Sequence, residues 1–125
     1  MKNHTRMPVR IQKLWGDWHP DEQQWLEELR DTILAQYQDA VQRVVLFGSK
    51  ARGDWHEESD VDVLVIVRDA AAAKKREIRR LGAKLAAGTA VIAGVIAQTE
   101  AEWAEIKAAG LKWHAEVEQQ GVSLL

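Results

Sequence analysis

The sequence has no cysteine, only one phenylalanine and one tyrosine, and no long apolar run. Without cysteine, disulfide staples, thiolate nucleophiles and cysteine-ligated metals are all excluded. No stretch reaches the roughly 18 apolar residues of a membrane span. The polar opening MKNHTRMPVR has no apolar core of signal-peptide length. A cytoplasmic location without membrane contact is therefore expected. A charge excess of either sign is also missing: 17 Lys+Arg stand against 19 Asp+Glu, a formal net charge of −2. No global field draws the chain to nucleic acid or to an anionic bilayer. His4, His19, His56 and His114 share no metal-ligand spacing, so they are assigned no metal site.

What is present suits one globular domain with a real core: 125 residues, 46% apolar and 29% charged. Six tryptophans are spread from Trp15, Trp18 and Trp25 through Trp55 to Trp103 and Trp113. That spread favours some exposed tryptophan, a common interface anchor.

Residues 1–19 read as an N-terminal arm. Ile11, Leu14, Trp15 and Trp18 could form a helical turn, but Gly16-Asp17 interrupts it. Pro20, followed by Asp21-Glu22, suits a helix start. The stripe Trp25, Leu26, Leu29, Ile33, Leu34, Tyr37 predicts a helix from about Pro20 to about Gln38. Arg43–Gly48 reads as a strand, Ser49–Glu58 as a loop, and Val61–Val67 as a second strand apolar on both faces. A helix over Asp69–Ala87, stopped by Gly88, precedes a third strand at Thr89–Ala97. Thr99 and Glu102 form a capping-box pair for a helix to about Ala109. A helix over Leu111–Gln120 and an edge strand in Val122–Leu125 complete the order α-β-β-α-β-α-α-β. Residues 20–125 are thus predicted to fold as an α/β domain, a small mixed sheet with helices packed on it.

The chemistry concentrates in Val44–Val67, VVLFGSKARGDWHEESDVDVLVIV. Gly48 at a strand end lets backbone approach a ligand, and small turns of this kind present N–H groups to anions. The Ser49 hydroxyl can donate to a phosphate oxygen, and Lys50 and Arg52 add cationic character. GSKARGD is not a Walker loop. Asp60 and Asp62 stand at i and i+2, on the strand face shared with Leu64 and Ile66. At roughly 6 Å and an effective dielectric of about 20 they repel by about 3 kcal/mol. A divalent cation reverses that sign, and Mg²⁺ prefers one or two carboxylates with substrate phosphates. Each half alone is a weak signal, since Gly-Ser is commonly a turn and Asp-x-Asp commonly a solvated strand end.

Together they are specific. GSKARGDWHEESDVD, with ten residues between Gly48-Ser49 and Asp60, resembles the signature of the nucleotidyltransferases of polymerase-β-like fold, and more narrowly of the minimal nucleotidyltransferases. The resemblance extends over about Trp25–Leu125. It implies Mg²⁺-dependent transfer of a nucleoside monophosphate, AMP from ATP in the first instance, to an acceptor hydroxyl. Gly48 and Ser49 would hold the β/γ-phosphates, Asp60 and Asp62 the metal, and Arg52 a phosphate or the loop. It further implies a partner protein, with this chain as antitoxin to a HEPN-type helical toxin whose side-chain hydroxyl is the acceptor. A weakened nucleotide-binding module that neutralises a partner by binding is the alternative. The chain departs from the family in one respect. The third carboxylate expected on the next strand, at about Ala93, is missing from Thr89–Ala97.

Lys74, Lys75, Arg76, Arg79, Arg80 and Lys84 make one helix strongly basic. Such a face is most simply solvated; RNA, a nucleotide tail or an acidic partner are weaker readings. Trp55 could stack on a base, meet a partner, or fold back on its own domain.

Overall fold

The computed structural model describes residues 7–16, 18–54 and 60–125. Its centre is the strand β2 (Val61–Val67), which is apolar on both faces because both are covered. Around it stand α1 (Val9–Leu14), α2 (Pro20–Gln36), β1 (Val41–Phe47), α3 (Ser49–Arg52), α4 (Lys75–Ala86), β3 (Ala93–Thr99), α5 (Glu100–Ala108), α6 (Lys112–Gln120) and β4 (Val122–Ser123). A 3₁₀ segment, Asp69–Lys74, leads into α4 where a single helix was expected. The sheet runs β3-β2-β1-β4. β1 pairs antiparallel with β2 and β4, and β2 pairs parallel with β3, so the sheet is mixed as expected.

Side-chain alternation splits the core into two layers. Val61, Val63, Val65 and Val67 face a large cluster with Trp25, Leu26, Leu29, Ile33 and Ile78. Leu64 and Ile66 face a smaller one with Val45, Trp103 and Val117. Asp62 has the same parity as Leu64 and Ile66, so the carboxylates belong to the α5/α6 side. The exposed cations of α4 belong to the opposite side of the sheet.

Of the residues read as an arm, several that the structure describes pack in the core. Ile11 is 0% exposed and Trp18 3%, and both join the large cluster. Their spacing of three and four does form α1 and its continuation, and Gly16 lies in a turn between them rather than ending the structure.

The third strand begins at Ala93, not Thr89. Thr89 is held in a turn: its N–H and hydroxyl both donate to the Ala86 carbonyl (3.0 and 2.7 Å), and its Oγ1 accepts from Val91 N–H (3.1 Å). The strand then runs through Gln98 to Thr99, which caps α5 in a capping box with Glu102. α4 lies tightly on β3 at Gly82, where a Cβ would collide with the Val95 side chain. Trp25 Nε1 donates to the Gly82 carbonyl there at 2.9 Å. No helix of the described residues is long and apolar enough to cross a membrane.

Candidate active site

The end of β1 and the start of β2 meet because they are antiparallel neighbours, with Phe47 opposite Asp62. The chain leaves β1 through Gly48, whose φ of 78° and ψ of −162° suit glycine alone. Any Cβ at this position would also lie 2.8 Å from Asp62 Oδ2. Gly48 is therefore needed twice, for its backbone angles and to leave room for the carboxylate. It opens α3, a single helical turn in what was expected to be loop. Its carbonyl accepts from the N–H groups of Ala51 and Arg52, both at 3.1 Å. The Ser49 N–H stands at the helix start, where no intrahelical acceptor exists, and it has no partner among the described residues. Gly48 and Asp62 therefore lie side by side, with Ser49 next to Gly48 in the chain and Asp60 two residues ahead of Asp62.

Asp62 is half-buried, and among the described residues no donor or cation meets it. Burial, and secondly the Asp60 charge, push its carboxyl above the usual range. Each of its oxygens faces a glycine. Oδ2 faces Gly48, while Oδ1 lies 3.6 Å from where a Cβ of Gly94 would sit. Asp60 is exposed, just ahead of β2. Two bare carboxylates on one strand face, with glycine on either side, fit a hard divalent cation that takes its remaining ligands from phosphate oxygens. Among the described residues no group of three or more His, Cys, Asp or Glu could hold a metal alone.

The strand carrying the missing acid is corrected by parity. Ala93 is paired with Val61, and both pack in the large cluster on the other side of the sheet. The residue abreast of Asp62 is Gly94. A Cβ there makes only ordinary contact, so position 94 has room for a side chain and carries none.

Two of the expected phosphate cations are engaged elsewhere. Lys50 points into the protein, 2% exposed, with Nζ 3.0 Å from both oxygens of Glu22 and 5.0 Å from the Trp18 ring centroid. Glu22 Oε1 also accepts from His19 N–H, closing the α2 capping box. Lys50 thus fastens α3 to the start of α2. Arg52 is on the same side of α3 as Ser49, one turn on, and pairs with Asp54 at 3.2 Å. That pair is partly solvated and can exchange. Trp55, His56 and Ser59 lie outside the described residues.

An aromatic group that the sequence reading did not assemble backs the site. Phe47 and Trp113 meet edge to face at 6.1 Å, and Trp103 meets Trp113 at 5.1 Å and His114 at 4.6 Å. The spacing of these residues between β1, α5 and α6 carries no sequence signal; only the shared face of the sheet gathers them.

Two Methanocaldococcus jannaschii proteins resemble this chain in sequence. "Putative protein adenylyltransferase MJ0141" is 44% identical over 52 residues, 42% of this chain and 52% of that protein. "Putative protein adenylyltransferase MJ0604" is 37% identical over 46 residues, 37% and 46% of the two. The chain spans about half the length of these curated relatives. Among solved structures, a crystal structure described as a putative nucleotidyltransferase from Sulfolobus solfataricus has a TM-score of 0.48 and 16% identity, over 98% of this chain and 90% of that one. A toxin-antitoxin crystal structure with AMP-PNP has a TM-score of 0.43 and 21% identity, over 94% and 71%. A family model described as "Nucleotidyltransferase domain" matches residues 26–117. That match takes in β1, the Gly48-Ser49 turn, both carboxylates and β3. The chain belongs to the nucleotidyltransferase domain family, and its mixed sheet with packed helices is the polymerase-β-like nucleotidyltransferase fold.

Proposed function

We propose that this domain transfers AMP from ATP to a hydroxyl on a partner protein, releasing pyrophosphate. The observation that carries the proposal is Asp62, a half-buried carboxylate without cation or donor among the described residues, held between two glycines beside Asp60. Asp60 and Asp62 would hold one or two Mg²⁺. The N–H and hydroxyl of Ser49, approached across the bare backbone of Gly48, would hold the β/γ-phosphates. Arg52, released from Asp54, would close on the phosphates or order the loop. Bound magnesium supplies charge neutralisation for the triphosphate and for the pyrophosphate as it leaves. The acceptor oxygen bonds to the α-phosphorus and the bond from that phosphorus to its bridging oxygen breaks. Pyrophosphate leaves with the electron pair, and the hydroxyl proton passes to water. The names of the two archaeal relatives favour ATP as donor and protein as acceptor. The partner we expect is a HEPN-type helical toxin, with this chain as its antitoxin.

Incubation with Mg²⁺ and ATP labelled at the α-phosphorus is expected to label the co-expressed toxin, while γ-labelled ATP labels nothing. Label arriving from the γ-position would replace nucleotidyl transfer with phosphoryl transfer and end this reading.

Gly94 favours a second reading, in which the site binds nucleotide, turns over weakly and neutralises its partner by binding. The two separate cleanly: Mg²⁺-ATP binding by calorimetry without α-label incorporation supports the second. Gly94→Asp would place a carboxylate abreast of Asp62, its Cβ in ordinary contact with Asp62 Oδ1. It is expected to raise incorporation at least about tenfold, the contribution of a positioned base. It should also lower the melting temperature of the metal-free chain, because a third anion joins the first two.

A further inference from the structure

β3 ends the sheet, and its outer edge has no partner among the described residues. The opposite end, β4, is two residues long, whereas β3 is seven. Val61 N–H donates to the Ile92 carbonyl at 3.1 Å, which sets the phase of the strand. Gly94 and Ile96 turn their backbone groups to β2; Ala93, Val95 and Ala97 turn theirs outward. Proteins commonly blunt such an edge with lysine, proline or a bulge. AGVIAQT contains no charge and no proline, and its register with β2 is unbroken.

The face beside that edge is apolar and open. Ile92 is 67% exposed and Ile96 36%, and they flank Gly94 on the side that carries Asp62. The direction of the chemistry selects this side. The phosphate turn follows β1, on one flank of β2, and β3 lies on the other. In a displacement at phosphorus the entering and leaving oxygens are roughly in line. A pyrophosphate leaving toward Gly48-Ser49 therefore requires an acceptor entering from β3.

We propose that the β3 edge receives an extended segment of the acceptor polypeptide as an added strand. Its hydroxyl side chain then leans over Gly94 toward Asp62. This rests on the transfer reading above and names how the acceptor is held. Alternating outward N–H and C=O groups complement another polypeptide backbone, and nothing regular in a nucleic acid or a bilayer. Ile92 and Ile96 supply apolar contact on either side of the incoming hydroxyl residue. Glycine at 94 leaves no Cβ in its path.

The probe is a nonapeptide library with a fixed central serine, threonine or tyrosine, and a twin library N-methylated at alternate residues. Ala97 is 3% exposed, so the open part of the edge is Ala93 and Val95; in the free chain their amides should exchange quickly and those of Gly94 and Ile96 slowly. The unmethylated peptides should slow the outward set at least about tenfold, and the methylated twin should not. Ala93→Pro removes an outward N–H and no bond to β2. With Mg²⁺ and α-labelled ATP it should cut peptide labelling at least about tenfold, leaving Mg²⁺-ATP affinity unchanged. Ile92→Glu, which alters no backbone donor, should cut it likewise. Equal labelling by wild type and Ala93→Pro, or equal binding of the methylated twin, overturns the proposal. So does protection of the outward amides in the free chain that grows with protein concentration, since a second copy would then cover the edge. If the wild type binds no ATP, the transfer reading fails by itself, and the exchange experiment still decides the edge.

Discussion

Asp62→Asn should abolish nucleotidyl transfer, by at least about a hundredfold, while raising the melting temperature of the metal-free chain. The two effects have one origin. Burial and the neighbouring Asp60 raise the folded-state pKa of Asp62 above its unfolded value. The folded chain therefore holds that proton more tightly than the unfolded chain does. Stability is gained as pH falls through the raised folded pKa, and at neutral pH the ionised group works against folding. Asparagine removes the charge and with it that opposition. Magnesium should produce the same rise in melting temperature in the wild type and a smaller one in Asp62→Asn. Thermal melts with and without Mg²⁺, at pH 7 and at pH 5, measure all of this. A variant that loses activity and also melts lower would mean that Asp62 is a structural residue.

Lys50→Met is expected to cost about 3–5 kcal/mol of folding stability, the usual penalty for leaving a buried partner's charge uncompensated. Among the described residues Lys50 pairs with Glu22, whose two oxygens both lie 3.0 Å from Lys50 Nζ. Adding Glu22→Gln should restore part of the loss, because the amide oxygen still serves the His19 N–H and the Glu22 charge is removed. Urea denaturation of the single and double variants gives the coupling directly. A loss below about 1 kcal/mol in Lys50→Met would place the pair in the range of a solvated one. Mg²⁺-ATP affinity of the double variant is expected to fall. Without the pair, α3 and its Ser49 N–H are less firmly tied to α2.

Much of the site was legible because its chemistry is local. Gly48-Ser49 and Asp60-x-Asp62 sit on neighbouring strands whose apolar runs announce themselves, and antiparallel pairing then brings the ends together. What escaped depends on distance in the chain. Lys50 beside a glycine turn looks like a phosphate cation; that it turns inward is decided by Glu22, 28 residues away. Residues 1–19 looked like an arm because Gly16-Asp17 breaks the helical spacing, and only the packed core shows that Ile11 and Trp18 are buried. The third strand was placed four residues early. Thr89, Val91 and Ile92 have strand-like side chains, yet the Thr89 hydroxyl commits that stretch to a turn. The vacant acid position is likewise one residue on from the expected Ala93, at Gly94, because Gly94 is the residue paired with Asp62. A shift of one residue in a strand exchanges the two faces of a sheet.

The alternation along β3 has a consequence for how such a domain can change over generations. Ala93, Val95 and Ala97 are fixed by neighbours: Val95 leaves α4 no space for any residue but glycine at 82. Ile92, Gly94 and Ile96 meet few such constraints. On the reading proposed above, substitutions at these even-numbered positions would reach the reaction and the acceptor without rebuilding the core. On that reading, a single residue on one strand would separate an enzyme from a silent binder.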